Sequence, residues 1–141
     1  MESVRKRKNR VSKILERLTE IYDTARCTLD HDNTYQLLVA TILAAQCTDK
    51  RVNLVTPDLF RKYPDPAALA KADRTELIEI IRSTGFFRNK TSNLIACATD
   101  LVRLFGGEVP GELEKLVKLK GVGRKTANVV LGNSFGVPGV V

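Results

Sequence analysis

The chain has 141 residues, about one ordinary domain, with 43% hydrophobic and 28% charged residues. That balance excludes disordered, collagen-like and fibrous classes, and no apolar run approaches the roughly 18 residues of a membrane span. Lys and Arg total 23 against 16 Asp and Glu, a formal charge of +7. The basic N-terminus is followed by no apolar stretch with a small-residue cleavage site, so no secretory signal is expected.

Apolar residues recur at helical spacing along the chain. No segment alternates long enough for a strand, so the predicted class is all-α. Val11, Ile14, Leu15, Leu18, Ile21 and Tyr22 make the first stripe. It follows a basic arm of Arg5, Lys6, Arg7, Lys8, Arg10 and Lys13, and residues 1–13 carry a net +5. Thr34 to Ala45 is apolar nearly all round, which predicts a buried central helix. Thr48 can cap the next helix, bearing Val52, Val55, Leu59 and Phe60, and Pro57 predicts a kink or split within it. Asp65-Pro66 is an N-cap with proline at the first helical position. Asp73 with Glu76 predicts a capping pair before Leu77, Ile80 and Ile81, and Gly85 fits a helix C-terminus. Leu94, Ile95, Ala98, Leu101, Val102 and Phe105 form another stripe, stopped by Gly106-Gly107. Pro110 precedes a short helix with Leu113, Leu116 and Val117. A last helix runs from about Arg124 to Leu131, for about eight helices in all.

Cys27, Cys47 and Cys97 form no CxxC pair or clustered framework, and their odd number argues against a disulfide scaffold. His31 is the only histidine and stands among Asp30, Asp32 and Asn33. It reads as a solvated loop residue rather than a triad base or metal ligand, so no metal site is expected. Beyond residue 13 the chain has 17 basic and 15 acidic residues, yet two stretches are free of acid. One holds Arg82, Arg88 and Lys90, and the other Lys115, Lys118, Lys120, Arg124 and Lys125. Basic clusters at turns on an otherwise balanced chain predict a polyanion footprint, with nucleic acid the common case.

The segment Leu116 to Leu131 reads helix, Gly121-Val122-Gly123 turn, helix. Two glycines permit a left-handed turn and close backbone approach. Free N–H groups at the start of the second helix offer a phosphate seat, and Lys120, Arg124 and Lys125 add charge beside it.

Leu119 to Leu131 resembles the helix-hairpin-helix signature of DNA glycosylases, most nearly the endonuclease III branch. Three further blocks, Leu38 to Asp49, Ser83 to Lys90 and Gly107 to Pro110, are similar to that branch in the same order. The resemblance runs from about residue 11 to the end. It implies a six-helix barrel domain over residues 26–141, with the hairpin at about 112–132. Residues 1–25 would be a basic arm and helix belonging to a second, incomplete helical subdomain. It implies a monomeric, cytoplasmic, nucleoid-associated base-excision enzyme acting on double-stranded DNA with damaged bases or abasic sites. Lys125 falls on the family's nucleophilic lysine. Its neutral amine would attack C1′, form a Schiff base, and lead through β-elimination to strand cleavage. Gln46 and Phe86 would enter the gap left by the extruded nucleotide, while Lys120, Gly121, Val122, Gly123 and Arg124 hold the backbone. Asp49, just after Gln46, reads as a helix cap rather than a pocket residue.

Three departures accompany the resemblance. Lys120 stands where the hairpin usually has proline. The family's catalytic aspartate is due just where Val137-Pro138-Gly139-Val140-Val141 closes the sequence. The branch's four clustered cysteines, ligands of a 4Fe-4S cluster, have no counterpart among Cys27, Cys47 and Cys97, so no cofactor is expected in this chain. These features predict a truncated product with impaired base excision and an exposed apolar patch on the first helix. A non-catalytic duplex-DNA-binding hairpin module is the alternative. The adenine-mismatch branch is disfavoured because it generally lacks a lysine at position 125.

Overall fold

Polar side chains fix where most helices begin. Ser3, Asn33, Thr48, Asp65 and Asp73 each accept a hydrogen bond from the backbone N–H of the residue three further on. Such a cap is worth about 1 kcal/mol. In the computed structural model, which describes residues 1–141, these caps open α1 (Val4–Ile21), α2 (Thr34–Leu43), α3 (Asp49–Lys62), α4 (Pro66–Ala70) and α5 (Arg74–Ile81). A 3-10 turn (Arg82–Thr84), α6 (Phe87–Phe105), α7 (Leu113–Leu116) and α8 (Arg124–Ser134) complete an all-α chain without strands. No helix is long and apolar enough to cross a membrane.

α2 is the central element, as its nearly continuous apolar sequence predicts. Tyr35, Leu37, Leu38, Val39, Ala40, Ile42 and Leu43 are all buried, and the helix packs on α3, α6 and α8. α6 lies against α4 and α5, and α7 packs on α8. The core runs from Leu29 to Leu131 and takes nothing from α1. Val11, Ile14, Leu15, Leu18, Ile21 and Tyr22 form the expected helix and are exposed, as the apolar patch predicted for the first helix requires.

Two local expectations are corrected. Pro57 lies inside α3, yet the helix runs unbroken from Asp49 to Lys62. Pro57 is on the exposed face, where solvent can satisfy the carbonyl that the missing N–H leaves free. Only half of the capping pair at α5 forms. Asp73 accepts from the Glu76 N–H at 2.9 Å, while the Glu76 carboxylate turns to Lys62 Nζ at 2.8 Å.

Candidate nucleic-acid interface and active site

The hairpin is held from behind by its apolar residues. Leu116, Leu119 and Val122 are buried on one side of the turn and Ala127, Val130 and Leu131 on the other, which pushes the turn backbone outward. Gly121 has φ +78°, and a Cβ there would stand 2.7 Å from Asn93 Cβ, so glycine is required twice over. Gly123 differs from the sequence expectation. Its φ of −88° and ψ of 177° suit any residue, and nothing lies within 4 Å of a Cβ placed there. Only Gly121 makes the left-handed turn.

Gly123 also opens α8 without a side-chain cap. The first-turn amides of Arg124, Lys125 and Thr126 therefore point outward with the positive end of the helix dipole. Val122 contributes backbone alone, because its side chain is in the core and its N–H donates to the Leu119 carbonyl at 3.2 Å. Lys118, Lys120, Arg124 and Lys125 are exposed and form no ion pair, whereas Lys115 is paired with Glu112 at 2.6 Å.

Lys125 borders a cavity of about 510 Å³. Thr126 and Asn133 of α8, Thr41 of α2, Gln46 and Asp49 line it with Arg26, Cys27 and Thr28. The irregular segment carrying Arg26 to Thr28 is laced to α3. Asn53 Nδ2 donates to the Thr28 carbonyl at 2.8 Å, and the Asp30 N–H donates to Asn53 Oδ1 at 2.9 Å. The Thr28 hydroxyl donates to Asp49 Oδ2. Asp49 is thus not the cap of α3. Thr48 fills that place, and Asp49 is the only carboxylate lining the cavity. Arg26, Thr28, Thr41, Thr126 and Asn133 carry no sequence signal that singles them out.

Gln46 and Phe86 share a backbone property found at no other non-glycine residue. Their φ values are +51° and +46°, in the left-handed region. Holding an L-residue there costs about 1 kcal/mol or more, and such strain clusters at ligand sites. Both side chains are exposed, Phe86 by 64%. Gln46 borders the cavity with Lys125, whereas Phe86 stands apart, beside Phe87, Arg88 and Asn89. The Phe87 ring carries the Arg82 guanidinium at 5.0 Å and that of Arg88 at 5.4 Å.

The basic footprint expected at 82–90 is smaller than the sequence suggests. Arg82 pairs with Glu79. Lys90 is buried, and its Nζ donates to the Leu43 and Thr84 carbonyls, each at 2.8 Å. Burial lowers the pKa of this ammonium. Arg88 remains as the free cation of this cluster.

His31 is half-buried, with Nδ1 2.7 Å from the Leu29 carbonyl, and does not reach the cavity. No group of three or more His, Cys, Asp or Glu residues is placed to hold a metal ion. Cys97 lies in the core while Cys27 borders the cavity, so the three cysteines do not form a ligand set for an iron–sulfur cluster.

Residues 39–135 match the family described as HhH-GPD superfamily base excision DNA repair protein. Endonuclease III of Synechocystis sp. is 55% identical over 131 residues, covering 93% of this chain and 60% of that protein. Endonuclease III of Bacillus subtilis is 44% identical over 126 residues, covering 89% of this chain and 58% of that protein. A solved non-covalent endonuclease III–DNA complex superposes with a TM-score of 0.88 at 41% identity, covering 99% of this chain and 64% of that one. The chain thus spans about 60% of the length of these curated relatives.

Proposed function

Because the chain belongs to the HhH-GPD superfamily of base excision DNA repair proteins, we propose that it is an endonuclease III-like DNA glycosylase and abasic-site lyase, taking oxidised pyrimidines from duplex DNA. The observation that carries this reading is Lys125 at the uncapped start of α8, beside the hairpin turn and open to the cavity.

A nucleophilic amine needs two things here: a seat for the strand and room for an extruded nucleotide. The outward amides of the first turn of α8, with Lys120 and Arg124, supply the seat through phosphate contacts. The cavity supplies the room. The neutral Lys125 amine adds to C1′ as the C1′–base bond breaks, and the base leaves with a proton. At a preformed abasic site, the same amine condenses with the aldehyde and releases water. Opening of the C1′–O4′ bond after base displacement, with O4′ taking a proton, gives the same iminium as the loss of water at the abasic aldehyde, and this iminium draws electrons from the C2′–H bond. Loss of that proton expels the 3′ phosphate and leaves a β-elimination end. Gln46 and Phe86, both held in strained turns, fill the space that the nucleotide vacates. No step is assigned to an iron–sulfur cluster, because these residues do not fit one. We assign this chemistry to residues 26–141, which contain the cavity lining and the hairpin, with residues 1–25 outside it.

Incubation with a duplex carrying one abasic site tests the reading. The expected product is a strand nicked by β-elimination, and Lys125→Gln abolishes it while duplex binding remains. Lys120→Ala weakens binding to all sequences and lowers the salt slope by about 1. Undiminished nicking by Lys125→Gln would refute the assignment.

A further inference from the structure

Two short segments run into the strained residues, and both end on carbonyls that their own helices leave unsatisfied. After α2, the Ala44 N–H returns to Ala40, the Ala45 N–H to Ile42 and the Cys47 N–H to Ala44, so no following amide reaches the Leu43 carbonyl. After the 3-10 turn, the Gly85 N–H returns to Arg82 and the Lys90 N–H to Phe86, which leaves the Thr84 carbonyl open. Leu43 and Thr84 are themselves buried, so water does not replace the missing donors. Both carbonyls receive the same ammonium. Lys90 Nζ lies 2.8 Å from each.

We infer that Lys90 is a positioning residue that joins the two duplex-entering turns into one unit, its ammonium tying the end of α2 before Gln46 to the end of the 3-10 turn before Phe86. Nothing else in the structure hydrogen-bonds these two turns to each other directly. A cation suits both ends, because each presents the negative pole of a run of aligned peptides. Lys90 also fixes Phe86 through its own backbone, its N–H donating to the Phe86 carbonyl at 3.0 Å. Gln46 and Phe86 therefore have a fixed separation before DNA arrives. A duplex that accepts one meets the other already in place, and less ordering remains to be done on binding.

This inference rests on the reading that Gln46 and Phe86 enter the duplex, and the experiment separates the two. The 141-residue chain is titrated with a duplex carrying a tetrahydrofuran abasic analogue beside 2-aminopurine, whose fluorescence reports unstacking. If the unaltered chain gives no signal and no preference over undamaged duplex, the reading itself fails, and the inference falls with it. If it does give both, Lys90→Met is compared in two backgrounds, with circular dichroism confirming the helices. The inference predicts that Lys90→Met weakens analogue binding about tenfold in the unaltered chain, and less than about twofold when Gln46→Ala and Phe86→Ala are already present. An equal loss in both backgrounds would make Lys90 a general stabiliser and overturn it. Should Lys90→Met not fold, the cycle of Gln46→Ala and Phe86→Ala with Lys90 intact decides. Coupling of roughly threefold or more supports the inference, and independent effects overturn it.

Discussion

At Cys97, in the middle of α6, the thiol is surrounded by the core, and burial pushes its pKa from 9.0 up to about 12. The Tyr35 hydroxyl, buried and donating to the Tyr63 carbonyl at 2.9 Å, is raised for the same reason. In both cases the folded state holds its proton more tightly than the unfolded chain. Their contribution to stability is therefore complete below about pH 9 and is lost as pH rises toward 12. Stability measured by urea should fall along that alkaline limb, and Cys97→Ala should flatten part of it. Cys97 should also resist a thiol reagent until the protein unfolds, while the partly exposed Cys27 and Cys47 react in the native state. Residues of this scale were unevenly legible in the sequence. Lys125, Gln46 and Phe86 stand in recognisable motifs. Lys90 does not announce its burial, because a lysine at a turn looks like surface charge until α2 is packed beside it. Thr28 and Asp49 meet across 21 positions of sequence, through a segment without periodicity, so no spacing rule connects them.

Among the elements, the hairpin makes the sharpest demand on its sequence. Gly121→Ala forces an L-side chain into φ +78° and against Asn93, so it should cost roughly 1–3 kcal/mol in unfolding experiments and misalign the turn. Gly123→Ala meets neither obstacle in the free protein. Its stability should change little, so any loss of duplex affinity at that position reports the approach of a phosphate instead. A chain in which Gly121→Ala and Gly123→Ala unfold alike would contradict this division. Helix starts were readable where Thr48, Asp65 and Asp73 precede apolar runs, because a cap is a local interaction within three residues. The unbroken path of α3 through Pro57 was not readable. It depends on which face of the helix meets solvent, and only packing settles that.

The whole molecule divides into a packed body, α2 to α8, and an α1 that buries none of its residues. The Val11 to Tyr22 stripe was legible as a helix, since its period is helical. Whether it packs was beyond a periodicity argument, because periodicity names a face and not its cover. Two consequences can be measured. Ile14→Gln with Leu18→Gln should leave the unfolding free energy of the body unchanged within about 0.5 kcal/mol. The same pair should reduce binding of a hydrophobic dye, as expected when an exposed apolar patch is removed. A large loss of stability would instead place α1 within the cooperative unit. On the opposite side of this balance, the unpaired Lys118, Lys120, Arg124 and Lys125 gather cationic charge along the hairpin, and of these Lys125 borders the cavity.

The most direct test of the central assignment is covalent. The chain is incubated with a duplex carrying one abasic site, borohydride is added, and the mixture is examined for a protein–DNA adduct stable to denaturation. The account predicts an adduct formed through Lys125, absent in Lys125→Ala although that variant still binds the duplex. Duplex binding without any adduct, or an adduct that survives Lys125→Ala, would contradict it.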